Sequence, residues 1–162
     1  GDDLWVSGTL GDAAAALAQW QAGDAIDPAL RARLDRPKPR VALGHALRGL
    51  ASACIDVSDG LLADLGHLCA ASGVGAEVEV DALPVSTALA VAFDAEARRR
   101  LQATGGDDYE LCFSASPAQR EAIGALPGTA RIGRIVASGG VRATTAMGLP
   151  WQPARTGYQH FA

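Results

Sequence analysis

Ala51-Ser52-Ala53-Cys54-Ile55-Asp56-Val57-Ser58-Asp59-Gly60-Leu61-Leu62-Ala63-Asp64-Leu65 is the stretch whose reading decides the fold. The small, continuous apolar run over 51–55 predicts a buried strand. Residues 56–60 break it, with two acids, a hydroxyl and a glycine in five positions. From Leu61 to Cys69 the apolar spacing predicts an amphipathic helix, stopped by Ser72-Gly73. A strand that passes through a short turn into a helix is the building unit of a sheet with helices packed on it.

Working outward, strands and helices interleave. Leu4 to Ser7 predicts a short strand, and residues 11–21 an Ala-rich helix with Leu17 and Trp20 three apart on one face. Asp27-Pro28 opens a helix to about Leu34, an N-cap residue followed by proline. Arg36-Pro37-Lys38-Pro39 must be extended or turning, because each proline restricts itself and its predecessor. Residues 40–50 have helical spacing, and Ala76 to Val80 alternates as a strand with one wet face. Two helices are expected between Ser86 and Gln102. Asp108 to Phe113 alternates again, and Pro117 opens a helix to about Leu126. Arg131 to Ala137 forms a last strand, with Val141 to Thr144 as its expected partner. The resulting fold class is α/β (α+β), a mixed β-sheet with helices packed on it, in one domain over 1–162.

Composition narrows the function. The chain has 162 residues, a net charge of −4 and 20% charged residues, which offers no general attraction for nucleic acid or an anionic membrane. No apolar run approaches the ~20 residues that span a bilayer. Cys54, Cys69 and Cys112 are odd in number and lack metal-ligand spacing, so they fit reduced, buried thiols of a cytoplasmic protein. No Gly-x-x-x-x-Gly-Lys-Ser/Thr loop occurs, and no hydroxyl or thiol has a histidine base beside it in sequence. His67, on the amphipathic helix, reads as a partly buried core histidine.

Two segments carry chemistry. In the first, Asp56, Ser58 and Asp59 sit where a strand meets a helix. Such a junction exposes helix-start N–H groups that favour phosphate oxygens, and Gly60 would let a ligand approach the backbone. Two carboxylates three residues apart suit phosphate only with Mg²⁺ between, since Mg²⁺ takes one or two carboxylates plus nucleotide oxygens and water. Simple capping by Ser58 or Asp59 is the alternative. In the second, Gly105-Gly106-Asp107-Asp108-Tyr109-Glu110-Leu111 leads two adjacent acids into a strand, where at most one would face a given ligand. A turn-rich loop is the alternative there.

Together with the ending Gly157-Tyr158-Gln159-His160-Phe161, these segments resemble the carboxy-terminal half of bacterial thiamine-monophosphate kinase. The opening Gly1 to Asp12 resembles the start of that half, and Arg36-Pro37-Lys38-Pro39-Arg40 fits the proline-flanked segment between. The wider group includes aminoimidazole-ribonucleotide synthetase, selenophosphate synthetase and a hydrogenase maturation factor. The same domain of one of these, or a non-catalytic ligand-binding module on the scaffold, are the competing expectations.

The resemblance implies transfer of the γ-phosphoryl group of ATP to thiamine monophosphate, giving thiamine diphosphate, without a phosphoenzyme. It implies that Asp56 and Asp59 bind Mg²⁺, that Ser58 contacts ATP, and that Asp107 contacts thiamine monophosphate, at a position where the family usually has Glu. Tyr158, with Phe161 as the alternative, matches an aromatic position at the thiamine end. It also implies that the family's amino-terminal domain, with its further Mg²⁺-binding acids and its homodimer surface, is absent from this chain, which alone would be inactive.

Overall fold

The computed structural model describes residues 1–137 and 139–157. In chain order it contains β1 (Asp3–Ser7), α1 (Asp12–Ala22), α2 (Pro28–Asp35), α3 (Val41–Ala46), β2 (Ala51–Val57), α4 (Leu61–Ser72) and β3 (Gly75–Glu79). Then follow α5 (Thr87–Ala92), α6 (Ala95–Thr104), β4 (Glu110–Ala115), α7 (Arg120–Gly124), β5 (Thr129–Val136), β6 (Val141–Thr144) and β7 (Pro150–Trp151). The seven strands form one sheet in the order β2-β4-β1-β5-β3-β6-β7. Every neighbouring pair is antiparallel except β3 and β6, which run parallel, so the sheet is mixed.

Local chemistry sets many of the helix ends. The Asp27 carboxylate accepts the N–H groups of Ala29 and Leu30 with Pro28 in the first turn, which starts α2. Ser86 and Asp94 cap α5 and α6 in the same way. Gly23 and Gly73, both in the left-handed region, end α1 and α4.

Strand alternation divides the core between the two faces of the sheet. On one face, Leu4, Val6, Val57, Cys112 and Ile132 pack with Leu61, Leu62 and Leu65 of α4. On the other, Trp5 and Phe113 lie opposite each other in register, their rings stacked at 6.5 Å between centroids, beneath Leu47 and Ile123. A third cluster, Ala15, Ala16, Leu30 and Leu89, joins α1, α2 and α5. Each fully buried leucine contributes ~1.5–3 kcal/mol, so α4 with Leu61 and Leu65 is among the best anchored helices.

Several expectations change in three dimensions. The 51–55 run is a strand but not a buried one: among the described residues β2 is the sheet edge, paired only with β4, and Ser52, Cys54 and Asp56 are exposed. Conversely, β4 has no wet face, because it lies between β2 and β1 with both sheet faces covered. The strand after Gly140 does not pair with β5, since β3 inserts between them. Helix α3 covers only Val41–Ala46 of the 40–50 segment. Cys69 and Cys112 are buried free thiols, but Cys54 is exposed on the edge strand, and His67 is exposed on the outer side of α4. In α1 the buried side chains are Asp12 and the small Ala13, Ala15 and Ala16, whereas Trp20 is 66% exposed.

Candidate functional site

Asp56 is exposed near the end of edge strand β2, and Ser58 and Asp59 are half-buried in the turn that enters α4. Gly60 begins the helix with a φ of 124°, and no side chain caps that end. A β-carbon at Gly60 would stand 2.8 Å from the carbonyl oxygen of Thr104, so glycine is required by close packing on the end of α6. That differs from the expectation that Gly60 makes room for a ligand, and neither Ser58 nor Asp59 acts as the helix cap.

The amides of this turn are also not open to phosphate. Asp64, one turn into α4 and only 4% exposed, points its carboxylate back at them. Its Oδ2 accepts the N–H of Ser58 at 2.9 Å, of Asp59 at 3.0 Å and of Gly60 at 3.2 Å. Those three donors, two of them ahead of the N-cap Gly60, are thus taken by the protein's own anion. Burial pushes the Asp64 carboxyl above its ordinary value, and the three amides pull against it.

The second acidic loop lies directly against the first. The Asp107 N–H donates to the Ser58 carbonyl at 2.9 Å and the Tyr109 N–H to the Val57 carbonyl at 2.8 Å. A β-carbon on Gly106 would come within 2.6 Å of the Ser58 oxygen, which explains the glycine that precedes the acids. Asp107 and Tyr109 both have positive φ, 65° and 52°, and both are exposed. Non-glycine residues hold such conformations only where surroundings over-determine them. Here Asp108 between them is the anchor: buried, its two oxygens accept the Gly11 N–H at 3.0 and 2.9 Å. Asp107 and Asp108 do part company, but through these turns rather than through strand alternation.

Behind the loop, Glu110 is fully buried and takes four donors. Ser7 Oγ donates at 2.5 Å, Arg33 Nη2 at 2.8 Å, Arg40 Nε at 2.6 Å and Arg40 Nη2 at 2.5 Å. Burial works to raise the Glu110 carboxyl, but the Arg40 and Ser7 hydrogen bonds and the two guanidinium charges outweigh it and leave it below the ordinary value. Asp108 goes the other way: burial, with help from Asp12 and Glu110 nearby, lifts it well above, against the pull of the Gly11 amide and Arg33.

The third segment arrives from the chain end. Gly157 packs so that a β-carbon there would stand 2.7 Å from the Asp59 carbonyl oxygen. Between residues 153–157, Gly105-Gly106 and the Leu17 and Ala18 side of α1 runs a groove of about 710 Å³. The Leu17 face of α1 therefore borders a groove. Thus the structure brings Asp56, Ser58, Asp59 and Asp107 to one end of the sheet, on two loops hydrogen-bonded to each other, while Tyr158 and Phe161 lie outside the described residues.

No cluster of three or more His, Cys, Asp or Glu side chains that could enclose a metal occurs among the described residues. Asp56 and Asp59 nevertheless fit Mg²⁺ as hard oxygen donors of the kind that hold it through one or two carboxylates, the remaining positions going to water and phosphate. Sequence reasoning missed two residues. Asp64 had a signal, an acid in the first turn after an uncapped helix start, which resembles the reach-back of a capping box. Tyr109, whose hydroxyl donates to Asp107 Oδ1 at 3.4 Å, had none beyond its place in the motif.

Comparison with known proteins shows the family and the fold. The family model for AIR synthase related protein, C-terminal domain, matches residues 1–145. A thiamine-monophosphate kinase of Salmonella typhimurium is 48% identical over 128 residues, covering 76% of this chain and 39% of that protein. The crystal structure of thiamine-monophosphate kinase from Stenotrophomonas maltophilia superposes with a TM-score of 0.84 at 51% identity, over 88% of this chain and 50% of that one. A structure described as "AaThiL complexed with AMPPCP and TMP" superposes with the same TM-score at 32% identity, over 99% of this chain and 52% of that one. The chain therefore spans between two-fifths and about half the length of these relatives.

Proposed function

The chain belongs to the AIR synthase related protein, C-terminal domain family, and from that premise we propose that it is the carboxy-terminal domain of an ATP- and Mg²⁺-dependent kinase converting thiamine monophosphate to thiamine diphosphate. One observation carries this: the two acidic loops whose motifs match the kinase are hydrogen-bonded together, Asp107 N–H to Ser58 carbonyl and Tyr109 N–H to Val57 carbonyl, which supports one site shared between them.

The reaction joins two polyanions, and positioning with charge neutralisation is its main demand. Asp56 and Asp59 hold the cation through carboxylate oxygens, and Ser58 offers a hydroxyl to ATP. Bound Mg²⁺ would supply charge neutralisation and alignment of phosphate oxygens. Asp107 faces the cationic thiazolium of thiamine monophosphate, and an aromatic partner, Tyr158 or Phe161, favours the same ring. The attacking phosphate oxygen is already ionised, so no general base is assigned. ATP as donor, together with three free thiols, suits a cytoplasmic setting.

The remaining acids and the homodimer surface belong, in this proposal, to a domain corresponding to the other half of the relatives. The chain alone is then inactive, and joined to the amino-terminal half of a relative it forms thiamine diphosphate from ATP, Mg²⁺ and thiamine monophosphate. An assay of both, with ADP release recorded, tests this. Turnover by the chain alone, or ligand binding without turnover by the joined protein, overturns it.

A further inference from the structure

The amides of Ser58, Asp59 and Gly60 converge on a single carboxylate oxygen of Asp64, at 2.9, 3.0 and 3.2 Å. Asp64 is buried on α4 with Leu61, Leu62 and Leu65, so its backbone is fixed by a helix anchored in the core. Two of the three residues it holds, Ser58 and Asp59, are those assigned above to nucleotide and cation. Left to itself, such a turn has two choices. It can present its N–H groups to an external anion, or it can present its side chains to an external cation. It cannot do both from one side.

We propose that Asp64 is a positioning residue that makes this choice: its carboxylate occupies the three turn amides from behind and sets Ser58 and Asp59, beside the strand-borne Asp56, as an acceptor set for a divalent cation. Phosphate is then recruited through the cation and not by the amides of residues 58–60. This rests on the cation-binding role of Asp56 and Asp59 proposed above. Three converging donors on one oxygen restrain the turn more than a single cap does, because each amide fixes a different peptide plane. The hydrogen bonds from Asp107 and Tyr109 to the Ser58 and Val57 carbonyls brace the same turn on its carbonyl side.

The test uses ¹⁵N-labelled chain, amide hydrogen exchange, and separate titrations with Mn²⁺ and with inorganic phosphate. In the parent protein, Mn²⁺ broadens the resonances of residues 56–60, and phosphate alone leaves them unmoved. In Asp64→Asn, which keeps the shape but not the charge, the amides of 58–60 exchange about tenfold faster or more. Mn²⁺ affinity falls by about 10- to 100-fold, the range seen when the partner of a metal ligand is lost. In Asp64→Ala the emptied ring gives phosphate-dependent shifts at 58–60. Unchanged exchange and unchanged Mn²⁺ affinity in Asp64→Asn overturn the assignment, as does faster exchange with Mn²⁺ affinity intact, which would make Asp64 merely structural. Absence of Mn²⁺ broadening in the parent sinks the cation role of Asp56 and Asp59 instead. Phosphate shifts at 58–60 in the parent would contradict the filled ring itself. Asp64→Asn carries the test if Asp64→Ala does not fold.

Discussion

Val57 and Glu110 are register partners on neighbouring strands, yet the acids around them have opposite surroundings. On the β2 side, Asp56 is exposed and Asp59 half-buried, near the turn that Asp64 holds from behind. On the β4 side, Asp108 and Glu110 are buried and satisfied by Gly11, Ser7, Arg33 and Arg40. The same residue type is, on the function proposed above, a cation ligand on one side and scaffold on the other. A buried carboxylate must find donors or lose its charge, whereas an exposed one is free to bind a cation. The lesson is that the density of acids in a motif does not measure the size of a metal site.

The contrast can be broken most severely at Glu110. Glu110→Gln leaves Arg33 and Arg40 without their shared counter-charge, and both guanidiniums keep partial solvent contact, with 20% and 34% of the side chain exposed. The expected loss is about 3 kcal/mol, towards the lower end for a broken buried pair. Urea unfolding reads it as a lower midpoint with unchanged slope. A loss within the range of a surface substitution would show that the cluster is not the anchor described here.

Asp56→Asn should do the reverse. As an exposed side chain it should shift stability by no more than about 0.5 kcal/mol. Thiamine diphosphate formation by the two-domain protein should drop about 10²-fold or more, with the loss read against Mg²⁺ concentration. Equal effects on stability and activity would erase the distinction between the two sides.

Acid unfolding sharpens the comparison further. The Glu110 carboxyl lies below its ordinary 4.5, so the stability it adds is present at neutral pH and lost as pH falls through its lowered folded value. Asp3, held down mainly by its hydrogen bonds to Arg120, behaves likewise below its ordinary 3.8. Asp108 has the opposite sign. Its carboxyl is raised, so its ionised form costs stability above 3.8, and that cost is relieved as pH falls towards 3.8. Asp108→Asn, which can still accept the Gly11 amide, should therefore be neutral or stabilising by about 1 kcal/mol near pH 7. The gain should fade as pH falls. Thermal unfolding of both proteins across pH measures it, and an advantage that grows on acidification would reverse the sign assigned to Asp108.

Much of this molecule was legible from short-range chemistry. Asp27-Pro28 and Gly73 bound their helices as expected, because caps and stops act within a few residues. The strand at β1 and the strand-turn-helix at 51–72 likewise follow from local pattern, and the order of motifs sufficed to identify the kinase resemblance. What the pattern could not contain was partnership at long range. Nothing in Ala51 to Val57 says that no strand lies on its far side, and nothing in β4 says that both its faces are covered. Nor does Val141 to Thr144 announce that its neighbour is β3, 65 residues earlier at Glu77 and Arg142. The site divides in the same way. Residue types and spacing pointed to Asp56, Ser58 and Asp59, and the kinase resemblance singled out Asp107. Only the tertiary structure decided that Asp64 fills the amide ring, that Asp108 and Glu110 belong to the scaffold, and that the two loops lock together. Burial and hydrogen-bond supply, which settle whether an acid binds a ligand or holds the fold, are properties of the packed chain and not of its order of residues.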